Sequence, residues 1–162
     1  MTIIERLGLL IRIPGTSRAR AEEQIVPRTI LVVDDDPIGA RAIEQTLQHA
    51  GFRVVLTSSV NELLHWLCER KTRFELLLLN PAVPKTGEYG LIETVRRLRG
   101  GALPIVALSD RADNTTMLRC YKEGADYFLP KPFPLRRLLS VVRYLTASAT
   151  NQVQRDRLVI NL

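Results

Sequence analysis

The sequence predicts an α/β fold, in which a doubly wound parallel sheet of five strands is flanked by helices. From residue 29 onward, short runs rich in β-branched and aliphatic residues alternate five times with segments whose apolar residues recur every three or four positions. Residues 30–33 and 76–79 carry no charge, which is typical of strands that are buried on both faces. A chain of 162 residues is long enough for one such domain with a substantial core.

Each element has its own signal in the sequence. The strands are predicted at residues 29–33, 53–57, 74–80, 104–109 and 126–129, where the runs are short and apolar. The helices are predicted at residues 37–50, 60–68, 91–99, 113–123 and 135–145, where apolar residues follow helical spacing. Gly51 and Gly124 are predicted to end the first and fourth helices, and Gly100 the third. Strict alternation of this kind implies right-handed crossovers between parallel strands.

Two segments fall outside the predicted domain, which we place at residues 29–146. Residues 1–28 form an extension that begins with an apolar leader at helical spacing, made of Ile3, Ile4, Leu7 and Leu10 or Ile11, and continues as a polar linker. The leader has three interpretations: a disordered start, a segment packed on the domain or on a sister chain, or a docking helix for a partner or a membrane surface. Residues 147–162 are predicted to be a polar linker and tail.

Composition narrows the class of protein. The net charge of +6 is spread along the chain, which argues against a dedicated nucleic-acid arm, although Arg96, Arg97 and Arg99 form a local cluster. Cys68 and Cys120 fall inside predicted helices, so we expect buried free thiols in a reducing compartment. No apolar run is long enough to span a membrane, and the first residues lack the layout of a signal peptide. The predicted location is the cytoplasm.

Three acidic residues follow the first strand directly. Asp36 before Pro37 is typical of a helix start, with an N-cap acceptor and proline at the first helical position. Asp34 and Asp35 are therefore expected at the carboxyl end of a central strand, where open α/β sheets bind their ligands. Adjacent carboxylates repel each other unless a cation is near. The pattern therefore predicts a cation-linked acidic pocket rather than a solvated run of charge.

The carboxyl ends of the other strands should bring Asn80, Ser109 and Lys131 close to Asp34 and Asp35. With these five separated positions in this order, the chain resembles the response-regulator receiver domain of bacterial two-component signalling. The resemblance covers the whole predicted domain. It implies the flavodoxin-like receiver fold with strand order 2-1-3-4-5, and a signalling module rather than an enzyme.

The resemblance also implies a role for each residue. Asp34 and Asp35 match the family's acidic pair, in which Asp35 is the direct magnesium ligand. Ser109 matches the hydroxyl that contacts the phosphoryl group. Lys131, within Leu-Pro-Lys-Pro-Phe, matches the invariant lysine, which is followed by a proline that is commonly cis. Phe128 matches the aromatic switch residue, which moves together with Ser109.

Asn80 departs from the family pattern, because it stands where the family has its phosphoacceptor aspartate. An amide cannot attack phosphorus as a carboxylate does. Asp110, where the family usually has a small residue, adds bulk and negative charge beside the site. We therefore expect a degenerate phosphorylation site, a pseudo-receiver that works without phosphate and requires no cofactor. Asp34 and Asp35 are expected to bind Mg²⁺ weakly if they bind it.

The expected partner is a protein, either a histidine kinase, another regulator or an output protein. A homodimer is also open, and direct binding of nucleic acid is not expected. Arg136, Arg137 and Arg143 are expected on the surface that the family forms from its fourth helix, fifth strand and fifth helix.

Two alternative functions remain. Asn80 could be an artefact in a true phosphoacceptor, or the chain could be the regulatory half of a truncated winged-helix DNA-binding regulator, whose opening strand residues 156–162 resemble.

Overall fold

A computed structural model describes residues 27–69, 71–83 and 90–160 of the chain, with side chains described as far as residue 147. The strands of its sheet are β1 (Thr29–Val33), β2 (Arg53–Thr57), β3 (Phe74–Leu79), β4 (Ile105–Ser109) and β5 (Tyr127–Pro130). All of the pairings are parallel, and the order is β2-β1-β3-β4-β5, as predicted. The helices between and after the strands are α1 (Pro37–His49), α2 (Val60–Cys68), α3 (Leu91–Arg99), α4 (Asn114–Glu123) and α5 (Leu135–Ile160).

The core has two layers, one on each face of the sheet. Along β1, Leu31 and Val33 pack into a cluster with residues of α2, α3 and α4. Ile30 and Val32 point the other way, into a cluster with residues of α1 and α5. This alternation follows from the two-residue period of a strand. All four side chains are fully buried, which confirms the prediction of a strand covered on both faces.

The register of the sheet aligns the residues that follow the strands. Val33 is paired with Leu79 between β1 and β3, so the next residues, Asp34 and Asn80, emerge side by side. The backbone N–H of Asn80 donates to the carbonyl of Val33 at 2.8 Å, which fixes this alignment one residue beyond the ladder. The N–H of Lys131 likewise donates to the carbonyl of Ser109 at 2.7 Å, beyond the pairing of β4 with β5.

The helix ends follow the predicted signals closely. Asp36 is the N-cap of α1, and its side chain accepts from the N–H of Ile38 at 3.1 Å. Asp113 caps α4 rather than beginning it, and its hydrogen bonds from Thr116 hold the pKa of the Asp113 carboxyl below its usual value. α4 ends at Gly124, whose φ of +115° lies in the left-handed region that favours glycine.

Two predictions about the helices are wrong. α5 continues to Ile160, where a polar linker and a strand-like tail were predicted. Residues 146–160 contain neither glycine nor proline to end the helix, and a short apolar run forms a strand only when it has a neighbouring strand to pair with. Cys68 is exposed, because it is the last residue of α2. Cys120 is buried as expected, and burial raises the pKa of its thiol.

Other predictions concern residues that the structure does not describe. The leader and most of the linker, residues 1–26, lie outside the described residues, as does most of the loop before α3, residues 84–89. The domain boundaries at residues 29 and 146 stay a prediction. Of the helices in the described ranges, none combines the length and the apolar character that crossing a membrane requires.

Candidate functional site

The carboxyl edge of the sheet brings together Asp34, Asp35, Asn80 and Lys131, as the sequence predicts. Nζ of Lys131 donates to Oδ2 of Asp34 at 2.5 Å, between residues 97 positions apart in the chain. The Asp34 side chain is 0% exposed and that of Lys131 is 13% exposed, so the pair is almost removed from water. The Lys131–Pro132 peptide bond is cis, which confirms the expectation from the resemblance.

Asn80 is buried between the two acidic residues and is oriented by three contacts. Its Nδ2 donates to Oδ1 of Asp34 at 3.2 Å and to Oδ1 of Asp35 at 3.5 Å. Its Oδ1 accepts from the backbone N–H of Ala82 at 3.0 Å, so the amide cannot turn over without losing that bond. The N–H₂ group therefore faces the carboxylates and carries partial positive charge toward both of them.

This arrangement fits a magnesium ion poorly. Mg²⁺ prefers anionic oxygen ligands in near-ideal octahedral geometry. Asn80 presents nitrogen to the acidic pair, and turning its amide would offer only an uncharged oxygen and give up the hydrogen bond from Ala82. Asp34 is also engaged by Lys131 on its other oxygen. Among the described residues, no three histidine, cysteine, aspartate or glutamate side chains are grouped so that they could hold a metal ion.

The two predicted switch residues, Ser109 and Phe128, have different contacts. The Ser109 side chain is buried, and its Oγ accepts from the N–H of Arg111 at 3.1 Å, which closes the turn after β4. Phe128 is buried in the core layer beneath α2, α3 and α4. Its N–H donates to the hydroxyl of Tyr121 at 3.1 Å. Sequence reasoning missed Tyr121, because an aromatic residue on an amphipathic helix carries no signal of its own.

Asp110 is exposed, and it lines a cleft of about 590 Å³ beside Lys131. Asp36 lies on the rim of the same cleft. The remaining lining is mostly apolar and comes from α1 and from the segment leading into α5: Gly39, Ala42, Ile43, Pro132, Phe133 and Leu135. The opening beside the lysine is therefore flanked by carboxylates, as Asp110 led us to expect.

The three arginines of the predicted partner surface are exposed, but they do not share one face of α5. Arg143 lines a second cleft with Leu135, Leu139 and residues of α1. At 100° per residue, Arg136 lies close to the direction of Arg143, whereas Arg137 is rotated by about 120° from it. Arg137 is thus the only one of the three that is turned well away from the side of α5 that faces α1.

Arg96 has a structural role that the sequence did not reveal. From α3 it donates Nη2 to Oδ2 of Asp126 at 2.5 Å and Nε to the carbonyl of Gly124 at 2.7 Å. Its Nη1 donates to the carbonyls of Leu103 at 2.6 Å and Gly100 at 3.1 Å. One guanidinium thereby joins the ends of α3 and α4 to the segments that precede β4 and β5. The sequence shows only a local cluster of basic residues here.

Comparison with known proteins gives consistent matches. A sequence profile described as the response regulator receiver domain matches residues 30–143. The transcriptional regulatory protein GltR of Pseudomonas aeruginosa is 32% identical over 123 residues, which are 75% of this chain and 50% of that protein. The regulator NtrC of Bradyrhizobium is 29% identical over 125 residues, 77% of this chain and 25% of that protein. The chain therefore spans only a quarter to half of these relatives.

A solved structure has a similar fold. A response regulator from Thermotoga maritima superposes with a TM-score of 0.65 at 26% identity, over 75% of this chain and 99% of that one. The five-stranded parallel sheet and its helices thus match a known fold.

Proposed function

This chain belongs to the response regulator receiver family, and we propose that it is a receiver-like module that signals through protein contacts without being phosphorylated. The observation that carries the proposal is the orientation of Asn80, whose amide nitrogen donates to both acidic residues of the pocket. An aspartate at residue 80 would supply the nucleophile for an acyl phosphate. An amide held in this way supplies neither a nucleophile nor an anionic metal ligand.

The charges of the pocket support the same conclusion. Phosphoryl transfer to a carboxylate needs a cation to neutralise the converging negative charge, and free donors to hold the phosphoryl oxygens. Lys131 is already paired with Asp34 at 2.5 Å, and Asp110 lines the cleft beside it. An incoming phosphoryl group would have to break the buried pair while facing an additional carboxylate.

Without phosphate, the switch residues have no ligand to distinguish two positions. A ligand shifts an equilibrium only by its difference in affinity for the two states. The Ser109 hydroxyl accepts from Arg111, and Phe128 is buried, so we expect one fixed arrangement of both. The domain is then controlled by its abundance or by partner binding.

The proposed partner is a cytoplasmic protein, either a kinase, another regulator or an output protein. Arg137 and the side chains of Leu118, Tyr121 and Tyr144 are exposed on α4 and α5. Exposed aromatic residues and arginine are enriched at the centre of protein interfaces. A second candidate is the regulatory part of a DNA-binding transcription regulator. It is favoured by the relatives NtrC and GltR, whose names describe transcriptional regulators.

Phosphorylation is tested by incubating the chain with acetyl phosphate and Mg²⁺ and measuring its intact mass. We expect no gain of a phosphoryl group, because residue 80 is an amide. The matched positive control is Asn80→Asp combined with Asp110→Ala, which restores the nucleophile and removes the obstructing carboxylate. Stoichiometric phosphorylation of the unmodified chain on Asn80, Asp34 or Asp35 would overturn the proposal.

The partner surface is tested by capturing proteins from the source cell with the full chain as bait. We expect charge reversal at Arg136 and Arg137 to weaken capture of a partner. Lys131→Ala should chiefly lower stability, because it leaves a buried carboxylate unpaired. If Lys131→Ala abolished capture while the fold stayed intact, and the arginine reversals had no effect, the pocket itself would be the binding site.

A further inference from the structure

A groove lies between α1 and α5 and begins at the mouth of the pocket. Its upper part is the cleft of about 590 Å³ that contains Asp36 and Asp110. Its lower part, of about 540 Å³, is lined by the second half of α1 and by Leu139 and Arg143 of α5. The two parts share Ala42 and Leu135, so they form one continuous, largely apolar surface about as long as α1, or roughly 20 Å.

The two ends of the groove carry opposite charge. Asp36 and Asp110 lie at the upper end, next to the carboxyl edge of the sheet, and the charge of Lys131 in the same cleft is paired with Asp34. Arg143 lies at the lower end, where α1 finishes. Near the upper end, the side chain of Ile38 on α1 is 82% exposed, which is unusual for a large aliphatic residue. A segment that fits this groove must therefore be apolar and must carry its positive end at the top.

Residues 3–13 of the same chain have this chemistry. Wound as a helix, their stripe of Ile3, Ile4, Leu7, Leu10 and Ile11 would occupy one face. Eleven helical residues measure about 16 Å, which is within the length of the groove. Arg6 would lie about 100° around the helix from the centre of the stripe, at its border, so its guanidinium could reach a carboxylate on the rim.

Residues 3–13 can reach the groove from the point where the chain enters the domain. The carbonyl of Arg28 accepts from the N–H of Arg53 at 2.9 Å, so residue 28 lies beside the start of β2, just after the end of α1. This is the lower end of the groove. Residues 14–26 connect it to the leader and can extend to roughly 45 Å, more than twice the length of α1. A leader with its amino end at the top needs only a fraction of that span.

We infer that residues 3–13 dock as an amphipathic helix in the α1–α5 groove of their own chain, with the amino end beside Asp36 and Asp110. In this orientation the positive end of the helix dipole meets carboxylates, and the negative end meets Arg143. The leader then covers the mouth of the pocket and the exposed side of α1. A protein partner that used this side would have to displace it.

The first test measures how accessible the groove is in the full chain. Gln45 is exposed and lines the groove, so Gln45→Cys in a Cys68→Ser background reports on its cover, while Cys120 stays buried. Maleimide labelling of this cysteine should be about tenfold faster when Leu7→Asp and Leu10→Asp are added, which corresponds to a leader docked about nine-tenths of the time. Equal rates with and without the leader changes would overturn the inference.

A matched probe and a charge exchange make the test specific. Ser140→Cys is exposed on α5 outside the groove, so its rate should not change with the leader variants. Asp110→Arg and Arg6→Asp should each speed labelling of the Gln45→Cys probe, and combining them should slow it again. If protection of the probe faded on dilution, the leader of a second copy would be the occupant, and docking within one chain would be refuted. A combined variant that labelled faster than either single change would also contradict the proposed orientation.

Discussion

Two clusters of charge lie at opposite edges of the sheet and differ in what they hold together. At the carboxyl edge, Lys131 donates to Asp34 at 2.5 Å. Near the amino ends of β4 and β5, Arg96 donates to Asp126 at the same distance. The first pair joins side chains that follow β1 and β5. The second is surrounded by backbone, since Oδ2 of Asp126 also accepts from the N–H of Ile105 at 2.7 Å.

The two ion pairs have the same length, but they differ in exposure to water and therefore in their expected contribution to stability. The side chain of Asp126 is 42% exposed, so water can replace a lost partner. The side chain of Asp34 is 0% exposed, so it depends on Lys131 and on the hydrogen bonds around it. An ion pair at a surface contributes little, whereas breaking a buried one leaves a charge without solvation. The comparison predicts that the fold depends on the Asp34–Lys131 pair more than on the Asp126–Arg96 pair.

The largest effect is expected from Lys131→Ala. Losing the lysine leaves the Asp34 carboxylate buried without its cation, which should lower the free energy of unfolding by about 3–5 kcal/mol. Chemical denaturation monitored by circular dichroism measures this loss. Lys122→Ala, at an exposed position on α4, serves as the control and should be nearly neutral. A loss below about 1 kcal/mol would mean that the pocket is hydrated like a surface site.

Arg96→Ala should have a smaller effect. It removes donors from three backbone carbonyls and one carboxylate, but these acceptors lie close enough to the surface to be partly hydrated. We expect a loss of about 2 kcal/mol in the free energy of unfolding. Arg96→Lys should recover only part of it, because an ammonium cannot reproduce the fork of a guanidinium. If Arg96→Ala destabilised the fold more than Lys131→Ala, burial would not be what separates the two clusters.

Asn80→Asp should lower stability by about 1 kcal/mol without metal, because a third carboxylate then faces Asp34 and Asp35. Adding Mg²⁺ should raise the melting temperature of this variant and leave that of the unmodified chain unchanged. Thermal melts with EDTA and with Mg²⁺ make the comparison directly. A clear rise for the unmodified chain would show that its amide turns over and joins a metal site.

The smallest effect is expected from Arg97→Ala, one residue from Arg96. Arg97 makes an exposed pair with Glu93, with Nη2 donating to Oε1 at 3.0 Å. Exposed pairs at this spacing contribute less than about 0.5 kcal/mol. The same denaturation series measures it. A loss as large as that of Arg96→Ala would indicate that charge on α3, rather than the contacts of one guanidinium, stabilises this end of the sheet.

Much of the fold was predictable because each element carries a local signal. The uncharged runs of β1 and β3 indicated strands covered on both faces, and Asp36 with Pro37 indicated the start of α1. The grouping of Asp34, Asn80 and Lys131 followed from the same logic, since parallel strands end at one edge. Residue type alone also showed that residue 80 lacks a carboxylate.

The features that the sequence could not predict depend on the orientation of side chains and on contacts between elements that are distant in the chain. The orientation of the Asn80 amide depends on the N–H of Ala82, which belongs to the turn after β3. Which of Arg137 and Arg143 faces α1 depends on where α5 packs, and the role of Arg96 depends on carbonyls contributed by other elements. The length of α5 has no clear signal in the sequence, because the polar composition of its second half is equally typical of a linker.

The contact between Arg96 and Gly124 has a consequence for how sequences of this kind can vary. A Cβ at residue 124 would lie 2.7 Å from Cγ of Arg96, and the positive φ at this residue would strain any side chain. A shorter residue 96 would remove the clash but not the strain of the positive φ, and shortening residue 96 first gives up the hydrogen bonds that hold the turn. Neither order of substitution avoids a less stable intermediate. We expect the two positions to be inherited as a pair, 28 residues apart.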